Sequence, residues 1–348
     1  MKRLDARPSM SLGLGFLCAA VLFAATGSDA EAGFFRHRDK PADSGPNCDA
    51  LVPALASGYG ADGPYAMDQQ SVDNPAYGRK PVEVFLPRGA AGKQPVVFFS
   101  HGFGPGEWQT YADLIRHMVS RGYIVVFSSY PELRASNEER YAALWAGFEA
   151  AAAVDGARMD LSRVGFAGHS FGGGATPAMA YKGLVQQGWG RQGAFLLELA
   201  PWYSYGISTA QLQALPADAV QLTETYDQDS VNDHRMGIDL YDSAQLPSRY
   251  YLMVRSLTVD GCTLTSEHDT PGRSPSLRLK QYAVFRPFDA LADYAFTGSA
   301  AAHSALVAMG SAADTGAYQP LQAEAAPQPV EPEGHYKWAW SDPKNPRR

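Results

Sequence analysis

The sequence predicts an α/β fold, a mostly parallel central sheet with helices on both faces. Three observations carry this. Residues 95–100, 123–127 and 194–199 are almost wholly apolar, broken only by Ser100 and Glu198 and with no polar alternation, which marks strands buried on both faces. Stretches of helical period separate them. And the run Val164-Gly-Phe-Ala-Gly168-His-Ser170-Phe-Gly172-Gly-Gly174 passes from a short apolar strand, through G-x-S-x-G, into a small-residue helix start.

The elements follow in order. Residues 82–86 have strand character and end at Pro87, and 95–100 form the first buried strand. Tyr111, Leu114, Ile115 and Met118 then fall at i, i+3, i+4 and i+7 of a helix, with Gly122 at its C-terminal end. Residues 123–127 are the next strand. Ser136 and Glu139 fit a capping box that opens a helix through Tyr141, Leu144, Trp145 and Phe148. Residues 164–167 lead to Ser170. A helix covers about 171–187, with Pro177 near its start as a possible kink. Strands at 194–199, 219–226 and 250–257 follow, and a helical pair around 288–309 closes the domain.

Composition narrows the class. With 348 residues, 45% hydrophobic and 19% charged, the chain is globular and can build a large core. A net charge of −7 and the lack of any basic run argue against a nucleic-acid partner. Lys2, Arg3 and Arg7 precede an apolar stretch at 10–25, too short to span a bilayer comfortably, and Ser28-Asp-Ala30 supplies small residues at −3 and −1. Residues 1–30 therefore read as a signal peptide cleaved after Ala30, which makes the mature protein secreted or periplasmic with no stable membrane anchor. Of three cysteines, Cys18 leaves with that segment; Cys48 and Cys262 remain, and in an exported chain they suggest one disulfide. Residues 31–80 read as an irregular lead-in and 81–318 as the folded domain. Residues 319–348 read as a Pro-rich tail, extended or disordered, with Tyr336, Trp338 and Trp340 as unexpected aromatics.

A serine on a tight strand-to-helix turn has its hydroxyl pushed out over the sheet. To act as a nucleophile it needs a histidine to take its proton and a carboxylate to orient that histidine. With such an elbow the chain order is Ser, acid, His. The acid is expected after the second strand beyond Ser170, where Asp227-Gln-Asp229-Ser-Val231-Asn-Asp233 lies. Asp229 is the favoured candidate, with Asp227 second and Asp233 third. The histidine is expected after the last strand, which selects His268. His303 reads as structural, His234 comes too early, His117 belongs on a solvated helix face, and His169 packs beneath the elbow. Two backbone N–H groups are needed for the developing oxyanion: that of Phe171, and one from His101-Gly-Phe103-Gly104, for which Phe103 is chosen. Metal-ligand spacings such as H-E-x-x-H do not occur, and no cofactor is called for.

Ser100-His-Gly-Phe103, Gly168-His-Ser-Phe-Gly-Gly173 and Ala200-Pro-Trp202 together resemble the α/β-hydrolase superfamily over roughly residues 80–310. The resemblance is to its dienelactone hydrolase, chlorophyllase and cutinase-like polyester hydrolase side. It implies an α/β-hydrolase fold and a serine hydrolase that cleaves small-molecule or polymeric carboxylic esters through an acyl-enzyme. It also implies that Trp202 lines an acyl or aromatic subsite. The chain departs from compact cutinases in its long lead-in, the loop between Trp202 and Val220, and the Pro-rich tail. An acyltransferase, or a binding protein that keeps the scaffold, are the alternatives.

Overall fold

The computed structural model describes residues 48–314 and 318–348; the signal-peptide reading falls outside them. Nine strands form one sheet in the order β1-β2-β4-β3-β5-β6-β7-β8-β11. They are β1 (Met67–Val72), β2 (Val82–Pro87), β3 (Gln94–Ser100), β4 (Ile124–Ser128), β5 (Met159–His169), β6 (Ala194–Leu199), β7 (Val220–Tyr226), β8 (Ser248–Val254) and β11 (Leu321–Ala323). The six from β4 across to β8 run parallel. At the flanks, β1 on β2, β2 on β4 and β11 on β8 are antiparallel. A small hairpin of β9 (Leu257–Val259) and β10 (Cys262–Leu264) stands apart. The α/β reading holds, as do the strands that the apolar runs marked.

Helices cover both faces. On one, α1 (Ala112–Ser120), α7 (Arg286–Thr297) and α8 (Ala300–Ala308) pack Leu114, Met118, Phe288, Leu291 and Leu306 against Val97, Phe99, Leu197 and Leu222. On the other, α2 (Asn137–Asp155), α3 (Phe171–Ala180), α4 (Thr209–Leu212) and α5 (Arg235–Ala244) pack Leu144, Phe148, Ala175, Leu212 and Ala244 against Val84, Phe98, Phe166 and Leu196. The successive residues of each buried strand thus feed opposite cores, which is why β3, β4 and β6 are mostly apolar, while β7 buries the polar side chains of Gln221, Thr223, Glu224 and Thr225. Ser136 caps α2 as expected: its Oγ accepts from Glu139 N, and Glu139 returns the bond to the Ser136 N–H. Pro177 sits in α3, which continues beyond Ala180 as a π-helical segment, Tyr181–Gln186.

Several expectations are corrected. The lead-in is not irregular throughout, because residues 67–72 form β1, paired over its full length with β2. The expected disulfide between Cys48 and Cys262 is present, with Cα atoms 5.6 Å apart. Beside it, the Asp49 carboxylate accepts from the Leu277 and Arg278 N–H groups and from Ser276 Oγ, fastening the lead-in to the start of α6 (Leu277–Lys280). His117 is not solvated: it is fully buried, stacked on Phe285, with Nδ1 2.8 Å from Asp62 Oδ1 and Nε2 3.1 Å from Asp289 Oδ1. Asp62 of the lead-in, Phe285, and Phe288 and Asp289 of α7 enclose the ring, so His117 has no solvated side. The tail is not a loose extension either. Residues 321–323 add β11 to the sheet, and Tyr336 and Trp338 are buried.

Candidate active site

Ser170 stands between β5 and α3 with φ 55° and ψ −119°, a strained conformation for a residue with a side chain. The neighbouring glycines explain how the turn closes. A Cβ on Gly168 would lie 2.2 Å from the Gly172 carbonyl oxygen, and one on Gly172 would lie 1.9 Å from that of Ser100. The turn is held by Ser170 N–H donating to Leu199 O at 2.9 Å and by Trp202 N–H donating to Ser170 O at 2.8 Å. The result aims Ser170 Oγ at His268 Nε2, 2.9 Å away.

His268 follows the β9–β10 hairpin, so it does not lead directly off β8 as the sequence suggested. Its Nδ1 lies 2.9 Å from Asp229 Oδ2. The other Asp229 oxygen accepts from the Val231 N–H at 2.8 Å and the Asn232 N–H at 3.0 Å. Burial alone would push the Asp229 carboxyl up, but His268 and these two N–H groups outweigh it and hold the group below its ordinary range. For His268, burial opposes the cation, yet the Asp229 carboxylate prevails and the imidazole lies above its usual value. The pattern fixes the tautomer: Nδ1–H donates to Asp229, leaving Nε2 to accept from the serine hydroxyl.

The other acid candidates are engaged elsewhere. Asp227 accepts from the Ser256 N–H and hydroxyl at 2.9 and 2.7 Å. Asp233 takes a two-pronged contact from Arg235 at 2.9 and 2.7 Å. Among the histidines, His303 is exposed and lies against Tyr294, while His234 is buried behind the acid loop, with Nε2–H donating to Tyr226 O at 2.9 Å. His169 does pack beneath the elbow, and it belongs to a network not legible in the sequence. The Gly102 N–H donates to Tyr111 Oη, that hydroxyl donates to His169 Nδ1, and His169 Nε2–H donates to the His268 carbonyl, at 2.9, 2.9 and 2.8 Å. Burial first, and then His268 nearby, lower His169 to about 4 and keep it neutral, as this chain of donors requires. In the sequence Tyr111 reads only as a helix-face residue. Its hydroxyl joins the loop after β3 to the loop that carries His268.

That loop after β3 is rigidly held. The His101 Nδ1–H and the Tyr130 hydroxyl both donate to the Gly102 carbonyl, at 2.6 and 2.9 Å, and the His101 ring stacks on Tyr130 at 4.2 Å. Burial lowers His101 to about 4, so it is neutral. Phe103 follows, its ring 6.2 Å from Phe171 and beneath the Arg140 guanidinium at 5.0 Å. Phe171 opens α3, where the first N–H groups of a helix have no partner within it.

A cleft runs over Ser170 and His268, lined by Phe103, Tyr111, Val231 and the rim residues Glu107 and Arg273. Trp202, assigned by resemblance to an acyl subsite, does not line it. Its backbone supports the elbow, while its ring meets Trp338 edge-on at 5.1 Å, the tail having taken the space in front of it. Among the described residues, no group of three or more His, Cys, Asp or Glu could hold a metal ion. No helix among them is long and apolar enough to cross a membrane.

A sheet of this order with a serine at its elbow can be compared with known families. Residues 59–187 match the Chlorophyllase family model. The resemblance read from the sequence motifs therefore stands over this stretch, within the α/β-hydrolase superfamily. The matched segment contains Phe103, Ser170 and Phe171, and ends before Asp229 and His268. Relation to the chlorophyllase family implies an ester hydrolase. No curated protein matches the chain.

Proposed function

We propose that the protein is an exported serine hydrolase of carboxylic esters, with Ser170 as nucleophile, His268 as general base and Asp229 as the orienting acid. One observation carries the reading: Asp229 Oδ2, His268 Nδ1, His268 Nε2 and Ser170 Oγ are joined in line by two contacts of 2.9 Å. In this mechanism Ser170 Oγ attacks the ester carbonyl carbon as His268 Nε2 takes its proton. Asp229 keeps Nδ1 protonated and stabilises the imidazolium. The N–H groups of Phe103 and Phe171 receive the oxyanion, the latter aided by the positive end of α3. His268 then gives its proton to the departing alcohol. Water, activated by the same imidazole, hydrolyses the acyl-enzyme and restores Ser170. The disulfide supports export, since such bonds persist in oxidising compartments.

Hydrolysis of p-nitrophenyl esters from acetate to dodecanoate tests the reading. The wild-type protein should turn over at least the shorter esters, and Ser170→Ala should lose turnover while keeping its circular dichroism and melting temperature. Substantial residual activity in Ser170→Ala would remove Ser170 as nucleophile.

A further inference from the structure

The segment Tyr336 to Trp340 lies more than a hundred residues beyond Asp229 in the chain, yet it is laid along the loop that carries Asp229. The Lys337 N–H donates to Ser230 O at 2.8 Å, the Trp338 N–H to Val231 O at 2.9 Å, and the Asp233 N–H to Trp338 O at 3.1 Å. Asn232 and Trp338 thus form a parallel bridge. Val231 is the hinge of this arrangement. Its N–H faces the Asp229 carboxylate and its C=O faces Trp338.

Side chains anchor the segment at both ends. The Tyr336 hydroxyl donates to His234 Nδ1 at 3.0 Å, and His234 Nε2–H donates to Tyr226 O, the same carbonyl that accepts the Asp229 N–H. The Trp338 ring is buried with Tyr203 and Met236 and meets Trp202 edge-on. The Tyr203 hydroxyl donates to Ala339 O at 2.5 Å, and the Trp340 N–H to Asp233 Oδ2 at 3.1 Å. Further on, Arg347 pairs with Asp239 on α5, which begins where the acid loop ends.

We propose that this C-terminal segment is a strap that positions the acid loop, with Trp338 as its principal positioning residue. This rests on the assignment of Asp229 as the acid of an ester hydrolase. Neither Trp338 nor Tyr336 lines the cleft, and of the loop they hold only Val231 does, so their main effect passes through Asp229 to His268 without direct contact to substrate. A five-residue polar loop such as 229–233 leaves its own backbone largely to solvent. Pairing it with a strand from elsewhere removes the alternative loop conformations in which the Val231 and Asn232 N–H groups turn away from the carboxylate.

The test uses the full chain with Trp338→Ala, Trp338→Phe and Tyr336→Phe. Trp338→Ala should lower kcat for p-nitrophenyl butyrate about 10- to 100-fold with KM within about threefold, a misplaced catalytic group being costly without contact to substrate. Trp338→Phe should recover most of the loss. Tyr336→Phe, which keeps the ring packing and removes the bonds of the hydroxyl to His234 and to the Glu331 backbone, should show a smaller loss of the same kind. The second readout is the titration midpoint of His268 by NMR, which does not depend on turnover. The charged groups facing His268 are Asp229, Glu267 and Asp269, with neutral His169 beside it. Loosening Asp229 alone should move the midpoint to lower pH, and the acid limb of kcat should follow it. Folded variants with unchanged kcat and midpoint would overturn the strap, as would a kcat loss that only tracks lowered melting temperature. If the wild-type protein hydrolyses no ester, the functional reading fails separately; an unmoved His268 midpoint in folded Tyr336→Phe and Trp338→Ala would still refute the strap.

Discussion

Replacing Asp229 with asparagine isolates the orienting role of the carboxylate. The change is nearly isosteric, and the site can hold it. The amide oxygen of the new side chain can still accept from the Val231 and Asn232 N–H groups now bonded to Asp229 Oδ1. The atom that replaces Oδ2, 2.9 Å from His268 Nδ1, becomes an amide donor. It will pair with an unprotonated Nδ1, which puts the proton on Nε2, facing Ser170 Oγ at 2.9 Å. That tautomer cannot accept the serine proton. The equivalent change in a Ser-His-Asp enzyme costs roughly ten-thousand-fold in kcat, or about 5 kcal/mol of transition-state stabilisation. We expect a loss of that order in kcat for Asp229→Asn, with KM within a few-fold and the fold intact. Stopped-flow or extended-time hydrolysis of p-nitrophenyl butyrate can measure it, with circular dichroism as control. Asp227→Asn, whose carboxylate bonds Ser256 and not a histidine, should remain within a few-fold of wild type. A loss below about tenfold in Asp229→Asn, or an equal loss in Asp227→Asn, would refute the argument.

Two further predictions concern stability. Cys48 and Cys262 are 214 residues apart in the chain, and the chain-entropy model gives about 5 kcal/mol as an upper bound for closing such a loop. The double variant Cys48→Ser, Cys262→Ser should therefore be destabilised by about 2–5 kcal/mol in urea unfolding, and a change below about 1 would show that the tie does little. Glu198 is buried in the sheet, bonded by Thr223 and Gln221, and burial raises its carboxyl from 4.5 to about 7. The folded state thus favours the protonated acid. Its full stability holds below pH 4.5 and is lost as pH rises through 7, by about 3 kcal/mol in total. Glu198→Gln should flatten the stability profile across that window; an identical profile in both proteins would refute the assignment.

How much was legible depended on whether a feature is local. The buried strands announce themselves because both their faces meet cores, so Phe98 and Phe99 point opposite ways and are both fully buried. Chain order alone picks out Ser170, Asp229 and His268, which the structure joins through two contacts of 2.9 Å, although His268 follows the separate β9–β10 hairpin and not β8 itself. Strand β1 escapes a reading of the sequence because Asp68, Gln69, Gln70 and Ser71 give no apolar signal; it is a partly exposed strand fixed by its pairing to β2. His117 misleads because its partners, Asp62 and Asp289, lie 55 and 172 residues away. The Tyr111–His169 network is long-range in the same sense. The tail composition reads as disordered, and only the fold shows that its few aromatics have a site to fill.

Both outermost strands of the sheet come from segments that the sequence made look dispensable. β1 belongs to the lead-in and β11 to the tail, and each shields a strongly apolar neighbour, β2 or β8. Each is also a poor template for another chain: β1 is polar at its four central positions, 68–71, and β11 is three residues long. A chain trimmed to residues 81–318 would keep every group of the candidate site. It would also present two unpaired rows of backbone donors and acceptors on apolar strands, the arrangement that invites edge-to-edge association between molecules. The terminal extensions thus guard the solubility of this fold, and a trimmed protein that clumps would say nothing about its chemistry.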